Sequence, residues 1–213
     1  MDEIGETGLR ERKKARTRRL IAEAAARLFA EHGYEQVAVS DVARAAEVSE
    51  QTVYNYFQTK EQLVIDRDEL VKDTLVQLIR GREPGVNAAT AIRDFMVANV
   101  DGISSIDPEL WRGELGYLAA ISPTVRRLSL EMADRQASAI AEAIRDTTPV
   151  TADLARLHGI AIAGVFQLLI SDAGRLTKQG RSQSAIARAL RPVVVSLLDE
   201  LDRWFNLSEP TSG

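Results

Sequence analysis

The strongest constraint on this chain is a period. Leu20, Ile21, Ala24, Ala25, Leu28 and Phe29 fall at i, i+1, i+4, i+5, i+8 and i+9, one apolar stripe along a helix. The same period returns in almost every patterned segment of the 213 residues, and no run alternates as a half-buried strand would. The expected fold is therefore all-α.

Local signals divide it. Gly33 fits the position after the first helix, and His32 stands in the last turn, where a cation is favoured. Short helices fit residues 40–46 and 50–57, the second capped by Ser49. A fourth starts at "TKEQ", where Thr59 and Gln62 can form a capping box, and runs to about residue 80. "GREPG", 81–85, is the clearest break. Longer helices are expected over 87–101, 108–121, 123–146, 152–178 and 183–206. Ser122 followed by Pro123, and Thr151, are start signals. Pro192 should restart or kink the last helix. The ends, 1–8 and 208–213, read as flexible tails.

Composition narrows the chemistry. There are no cysteines, which removes disulfides, thiolate catalysis and cysteine-bound metals. The longest uncharged run, 157–171, has 15 residues against the ~20 that span a bilayer. No signal peptide opens the chain, so a cytoplasmic protein is expected. The histidines, His32 and His158, lie 126 residues apart with no metal-ligand spacing. No nucleophile elbow occurs, and "GIAIAG" lacks the Lys-Ser/Thr of a phosphate loop. Catalytic, metal and cofactor sites are expected to be absent. The net charge of −4 hides a basic run: Arg10, Arg12, Lys13, Lys14, Arg16, Arg18 and Arg19 face one acid, Glu11, within residues 8–20. Such a cluster suits either a polyanion contact or a solvated tail.

Residues 40–60 carry the most specific pattern. Two short helices joined by a tight turn fit a helix-turn-helix. Val42, Ala43, Ala46, Val48, Val53 and Phe57 take the inward positions. Glu50, Gln51, Tyr54, Asn55 and Gln58 take the outward face of the second helix, where hydrogen-bonding groups can read bases in a major groove. Spacing alone fits a plain surface helix equally. Lys60, placed at the first position of the next helix against the dipole, makes more sense beside an anion such as a DNA phosphate.

Residues 17–63, "TRRLIAEAAARLFAEHGYEQVAVSDVARAAEVSEQTVYNYFQTKEQL", resemble the DNA-binding domain of the TetR (tetracycline-repressor-like) family. The matching pieces are an Ala-rich helix ending in "LFAEHGY", then "VSDVARAAEVS" and "TVYNYFQTKEQL". The resemblance implies a three-helix DNA-binding domain over 9–60, its helix-turn-helix at about 40–57, and a ligand-binding and dimerisation domain over 61–207. It also implies roles. Thr52 and Tyr54 would touch phosphates or base edges, Tyr56 and Lys60 phosphates, and Gln51 and Asn55 bases. Arg16 and Arg18, before the first helix, would reach backbone or minor groove. Ser40, Ser49 and Glu50 complete the expected contacts. Three departures stand out: Ala38 where Thr is usual, Glu47 where Gly is usual, and Glu50 where a small or polar residue is common. They bear on a lost cap, a strained turn and the operator sequence.

Beyond residue 80 the family offers no motif, and the pattern must serve. Residues 157–170 are apolar nearly all round, and Val194, Leu197, Leu198 and Leu201 form a broad face near the C-terminus. Two such helices suit a homodimer built as a four-helix bundle, with Gly159 and Gly164 allowing close approach, or an intramolecular core. Phe95, Met96, Trp111, Tyr117, Met132, His158 and Phe166 are candidate linings for a ligand pocket, or simply core. With no basic cluster among them, a small uncharged or apolar effector is expected. The expected function is a dimeric, ligand-responsive transcriptional regulator, a repressor in the family's usual mode, that binds a palindromic operator in double-stranded DNA. The rival readings are a helical dimer that binds a partner protein and no DNA, and a helical enzyme.

Overall fold

The computed structural model describes residues 3–208, with side chains described for residues 12–207. The described residues are helical throughout, joined by turns, and form two compact units. The flexible ends expected at 1–8 and 208–213 fall partly outside the described residues, and residues 3–8 and Ser208 are helical.

The first unit comprises the residues up to Asp66 together with Asp107–Glu114. It contains α1 (Glu3–His32), α2 (Val39–Ala45), α3 (Glu50–Tyr56) and α6 (Pro108–Trp111). α1 begins well before the expected start near residue 17, because residues 9–20 are rich in Arg, Lys and Leu and contain no helix breaker. Its stripe of Ile21, Ala24, Ala25 and Phe29 is buried, against a core completed by Tyr34, Val37, Val42, Ala43, Val53 and Phe57. α2 does start without a hydroxyl cap at Ala38. Asp41, three residues on, compensates by accepting the Ala38 N–H at 2.9 Å. Ser49 caps α3 as expected, its Oγ accepting the Thr52 N–H at 3.1 Å.

The expected helix over 108–121 is two helices. α6 ends at Trp111, the chain turns through Gly113, and α7 (Leu115–Ile121) begins in the second unit. Gly113 lies against the backbone of Ala26 in α1, so closely that a Cβ would overlap the Ala26 carbonyl. Residues 107–114, which the sequence reading leaves in the second domain, thus pack with the first unit.

α4 (Gln62–Arg80) starts in the first unit and continues through the second. Thr59 caps it through the Gln62 N–H at 3.4 Å, but Gln62 returns its bond to Gln58, one residue earlier than the expected box. The second unit adds α5 (Ala88–Gly102), a 3-10 turn at Ile103–Ser105, α7, α8 (Pro123–Thr147), α9 (Ala152–Lys178) and α10 (Gln183–Ser208). The caps expected at Ser122 and Thr151 are made, to Val125 at 3.1 Å and Leu154 at 3.2 Å. α10 runs through Pro192 as one helix. Ile92, Met96, Leu118, Ile140, Ile144, Ile162, Val194 and Leu198 are buried together in this bundle's core. The tightest crossing is α7 on α9, where a Cβ on Gly174 would overlap the Gly116 carbonyl. The last turns of α4 are fastened to the end of α8. Arg82 donates to Thr147 at 2.6 Å and also to Thr148 and Ile79, and Arg80 pairs with Asp146 at 3.1 Å.

α9 changes one expectation. Its 27 residues reach a mean hydropathy of 1.6 over their most apolar window, long and apolar enough to cross a membrane, although the uncharged run alone is too short. Within the fold 44% of that window is buried against its own bundle.

Glu47, in the turn between α2 and α3, has φ +54°. A side chain there costs about 1–2 kcal/mol against a right-handed residue. Glu47→Gly relieves this at the expense of extra freedom in the unfolded chain. It should stabilise the first unit by up to about 1 kcal/mol, read as a raised urea midpoint.

Candidate nucleic-acid interface

α3 owes its phase to two anchors. Val53 and Phe57, four residues apart, are buried to 0% and 1% exposure. The helical period then turns Glu50, Gln51, Tyr54 and Asn55 outward, all of them exposed, with Tyr54 at 44%. The Gln51 amide donates to the Asn55 carbonyl oxygen at 3.1 Å, so the two are ordered side by side one turn apart. Ser49 and Thr52 share a hydroxyl pair at 2.8 Å at the start of the helix. Tyr56 is half-buried on the shoulder, and Ser40 is half-buried in the first turn of α2. Arg12, Lys13, Lys14 and Arg16 are all exposed on α1. Arg10 lies outside the residues whose side chains are described.

Two expected DNA contacts sit differently. Lys60 lies in the turn before α4, not in its first position. Its ammonium donates to the Tyr34 carbonyl at 2.5 Å and lies 4.2 Å from the centre of the Tyr34 ring. Burial lowers its pKa from the ordinary lysine value, against the opposing charges of Glu35 and Glu61. One of its three donors is thereby committed. Tyr34, which the sequence reading quotes without a role, is the seat that fixes it.

Arg18 is the clearer correction. It lies inside α1, and its guanidinium, on a side chain 43% exposed, is engaged by groups of the protein. Nε donates to Asp66 at 3.0 Å, Nη2 pairs with the same carboxylate, and Nη1 donates to the Tyr56 carbonyl at 2.9 Å. Its Cζ lies over the Phe57 ring, 4.6 Å from the ring centre. Asp66, its partner 48 residues away, left no local signal in the sequence.

The second unit separates the remaining candidates. Gly159, Val194 and Leu198, expected at a dimer interface, belong to the chain's own core. Gly159 abuts Ala137 and Ala141 of α8, and Val194 and Leu198 are both 0% exposed. Gly164 instead faces open space, and Leu197 and Leu201 are half-buried. The exposed face of α9 carries Leu157, Ile160, Gly164 and Leu168. Of the pocket candidates, Met96, Met132, His158 and Phe166 are buried, and Phe95 and Tyr117 half-buried, on four different helices of this unit. Trp111 is not among them in space, since it stands on α6 against α1. The sequence reading missed Gln136, buried to 1% on α8, whose Oε1 has no hydrogen-bond partner among the described residues. Leaving such an oxygen unpaired costs about 1–3 kcal/mol.

His158 is packed between rings. It stacks on Phe205 at 3.8 Å and meets the edge of Trp204 at 4.9 Å. Burial lowers its pKa from 6.5 to about 4, so the folded state holds it neutral. The unfolded chain then binds the proton more readily than the folded one. The contribution of His158 is full above about pH 6.5 and is lost as pH falls towards 4. His158→Phe keeps the stack and should flatten the stability profile of the second unit across that window, measured by urea unfolding at stepped pH.

Residues 21–66 match the family model described as bacterial regulatory proteins, tetR family. The chain is 26% identical over 150 residues to the HTH-type transcriptional regulator TcmR of Streptomyces glaucescens, an alignment covering 70% of this chain and 62% of that protein. It is 37% identical over 67 residues to the dhaKLM operon transcriptional activator DhaS of Lactococcus lactis, covering 29% and 36%. The chain thus spans less than two thirds of the length of these relatives. Its fold is like that of NalD, the secondary repressor of the MexAB-OprM multidrug efflux pump in Pseudomonas aeruginosa, with a TM-score of 0.54 at 17% identity over 90% of this chain and 96% of that one. The family match falls on residues 21–66, the part of the chain that holds α3 in place, and there the chain is similar to transcriptional regulators of the tetR family.

Proposed function

We propose that the chain acts in the cytoplasm as a dimeric, ligand-responsive regulator that binds a palindromic operator through α3. The observation that carries this is the division of α3 into a fully buried edge, Val53 and Phe57, and an exposed edge with Gln51, Tyr54 and Asn55. Hydrogen-bonding side chains on a short exposed helix beside the basic run of α1 suit a major groove flanked by phosphates. Gln51 and Asn55 are the base-reading pair. Ser40, Ser49, Thr52, Tyr54, Tyr56, Lys60 and Arg16 contact the backbone, and Glu50 accepts from a cytosine amine or selects against other bases. Binding to random duplex should weaken steeply with added salt. Asn55→Ala should cost about 1–3 kcal/mol against a selected operator while leaving random-duplex affinity unchanged, measured by fluorescence anisotropy. Salt-independent or absent binding would favour a protein-interaction module.

The dimer rests on α9. Leu157, Ile160 and Leu168 are 44–50% exposed and share one face of α9 with Gly164, and Leu197 and Leu201 of α10 are half-buried. An apolar stripe of that length on a long helix suits a second copy packed in a four-helix bundle. Ile160→Glu combined with Leu168→Glu should give a monomer by sedimentation with helix content intact. Operator affinity should fall about a hundredfold or more, because the two half-sites are then no longer bound together.

The effector is small and uncharged or apolar, held among the bundle helices near Met96, Met132 and Phe166, with Phe95 and Tyr117 at the margin. Gln136 offers it an acceptor, which favours a ligand with one hydrogen-bond donor. Binding favours one spacing of the two DNA-binding domains, and α4 carries the change. The proposed sign is repression; among relatives DhaS is described as an activator and NalD as a repressor.

A further inference from the structure

Arg18, with a side chain 43% exposed, engages three groups of its own domain. Its guanidinium holds the Asp66 carboxylate in the first turns of α4, the Tyr56 carbonyl at the end of α3, and the face of Phe57, the residue that closes α3. A helix end leaves its last carbonyls without intrahelical partners, and a cation there is favoured by the dipole. α3 is only seven residues long, and no basic residue stands in its last turn. Arg18 supplies that cation from another helix. The planar fork is what allows it: one edge meets the carboxylate, a third N–H reaches the carbonyl, and the flat face covers the ring.

We propose that Arg18 is a positioning residue for DNA recognition, fixing the C-terminal end of the recognition helix to α4 through Asp66, and that it does not contact DNA. The proposal rests on the DNA-binding role of α3. Its consequence is specific. The pair sets the pose of α3, so it governs how well bases are read and leaves phosphate attraction unchanged. α4 continues from Asp66 towards the turns that Arg80 and Arg82 fasten to α8. The Arg18–Asp66 pair is therefore the joint at which α4 meets the recognition helix.

Charge alone predicts the opposite behaviour for the two partners. Were Arg18 a phosphate contact, Arg18→Ala would weaken every duplex alike and lower the salt slope by about one. Arg18→Lys would be close to wild type. Asp66→Asn, which removes a negative charge, would tighten binding.

The test measures affinity for two probes, a duplex selected by the wild-type protein from a random pool and an unselected random duplex, across a salt series. Arg18→Ala, Arg18→Lys and Asp66→Asn should each lose about tenfold on the selected duplex. Their affinity for the random duplex and their salt slopes should match wild type, and the Arg18→Ala/Asp66→Asn double variant should be no worse than either single one. A lowered slope in Arg18→Ala, a Lys variant that behaves as wild type, or tighter binding by Asp66→Asn would overturn the proposal. A second reading needs no DNA. Hydrogen exchange of the Phe57 N–H, which donates to Val53 at 2.8 Å, should quicken in Arg18→Ala, with α8 and α9 unchanged. Unchanged exchange at Phe57 would also overturn it. Should the wild-type protein bind neither duplex, the DNA-binding reading fails, while the exchange result still decides whether Arg18 holds the helix end.

Discussion

The burial of Val53 and Phe57 is the constraint on which the first unit depends. α3 has seven residues, too few to be stable alone. Two fully buried side chains one turn apart hold it, and they fix its rotation as well as its existence. A rotation of one residue, about 100°, would bury Tyr54 and expose Val53. Every outward role assigned to Gln51, Tyr54 and Asn55 follows from that phase. The three-helix core is in turn only as good as its close approaches. Ala43 and the stripe Ile21, Ala24, Ala25 and Phe29 are all buried where α1, α2 and α3 meet.

What was legible in the sequence was local. The period gave the helices, and Ser49, Ser122 and Thr151 cap them where hydroxyls precede apolar runs. The strain expected at Glu47 is present as a positive φ. What was not legible depends on residues far apart in the chain. Nothing near Arg18 points to Asp66, 48 residues on, and a basic residue in a basic run reads naturally as part of the run. Residues 108–121 have one helical pattern, yet Gly113 breaks it, because that glycine is needed against Ala26.

The last helix shows the same limit in another form. Val193, Val194, Val195, Leu197, Leu198 and Leu201 cover more of α10 than one neighbour requires. Pattern gives the width of such a face but not its division. The structure gives Val194 and Leu198 to the chain's own core and leaves Leu197 and Leu201 at its margin. α9 divides likewise. Gly159 admits α8, while Gly164, five residues on and so about 140° round the helix, faces open space on the side that carries Ile160 and Leu168. Glycines that look equivalent in sequence thus serve opposite sides.

Charge is distributed with a similar division. The chain carries a net −4, which on its own repels a polyanion. Exposed Arg12, Lys13, Lys14 and Arg16 concentrate the positive charge on α1, where long-range attraction needs no exact geometry. The cations that need geometry are held otherwise. Lys60 is seated on Tyr34, and Arg18 is engaged inside the domain by Asp66, Tyr56 and Phe57. The exposed and the engaged cations are therefore different residues, and α1 carries both kinds. On the DNA-binding reading proposed above, a screened charge on α1 draws DNA in from any direction, while the forked Arg18 holds the reading helix at a fixed angle.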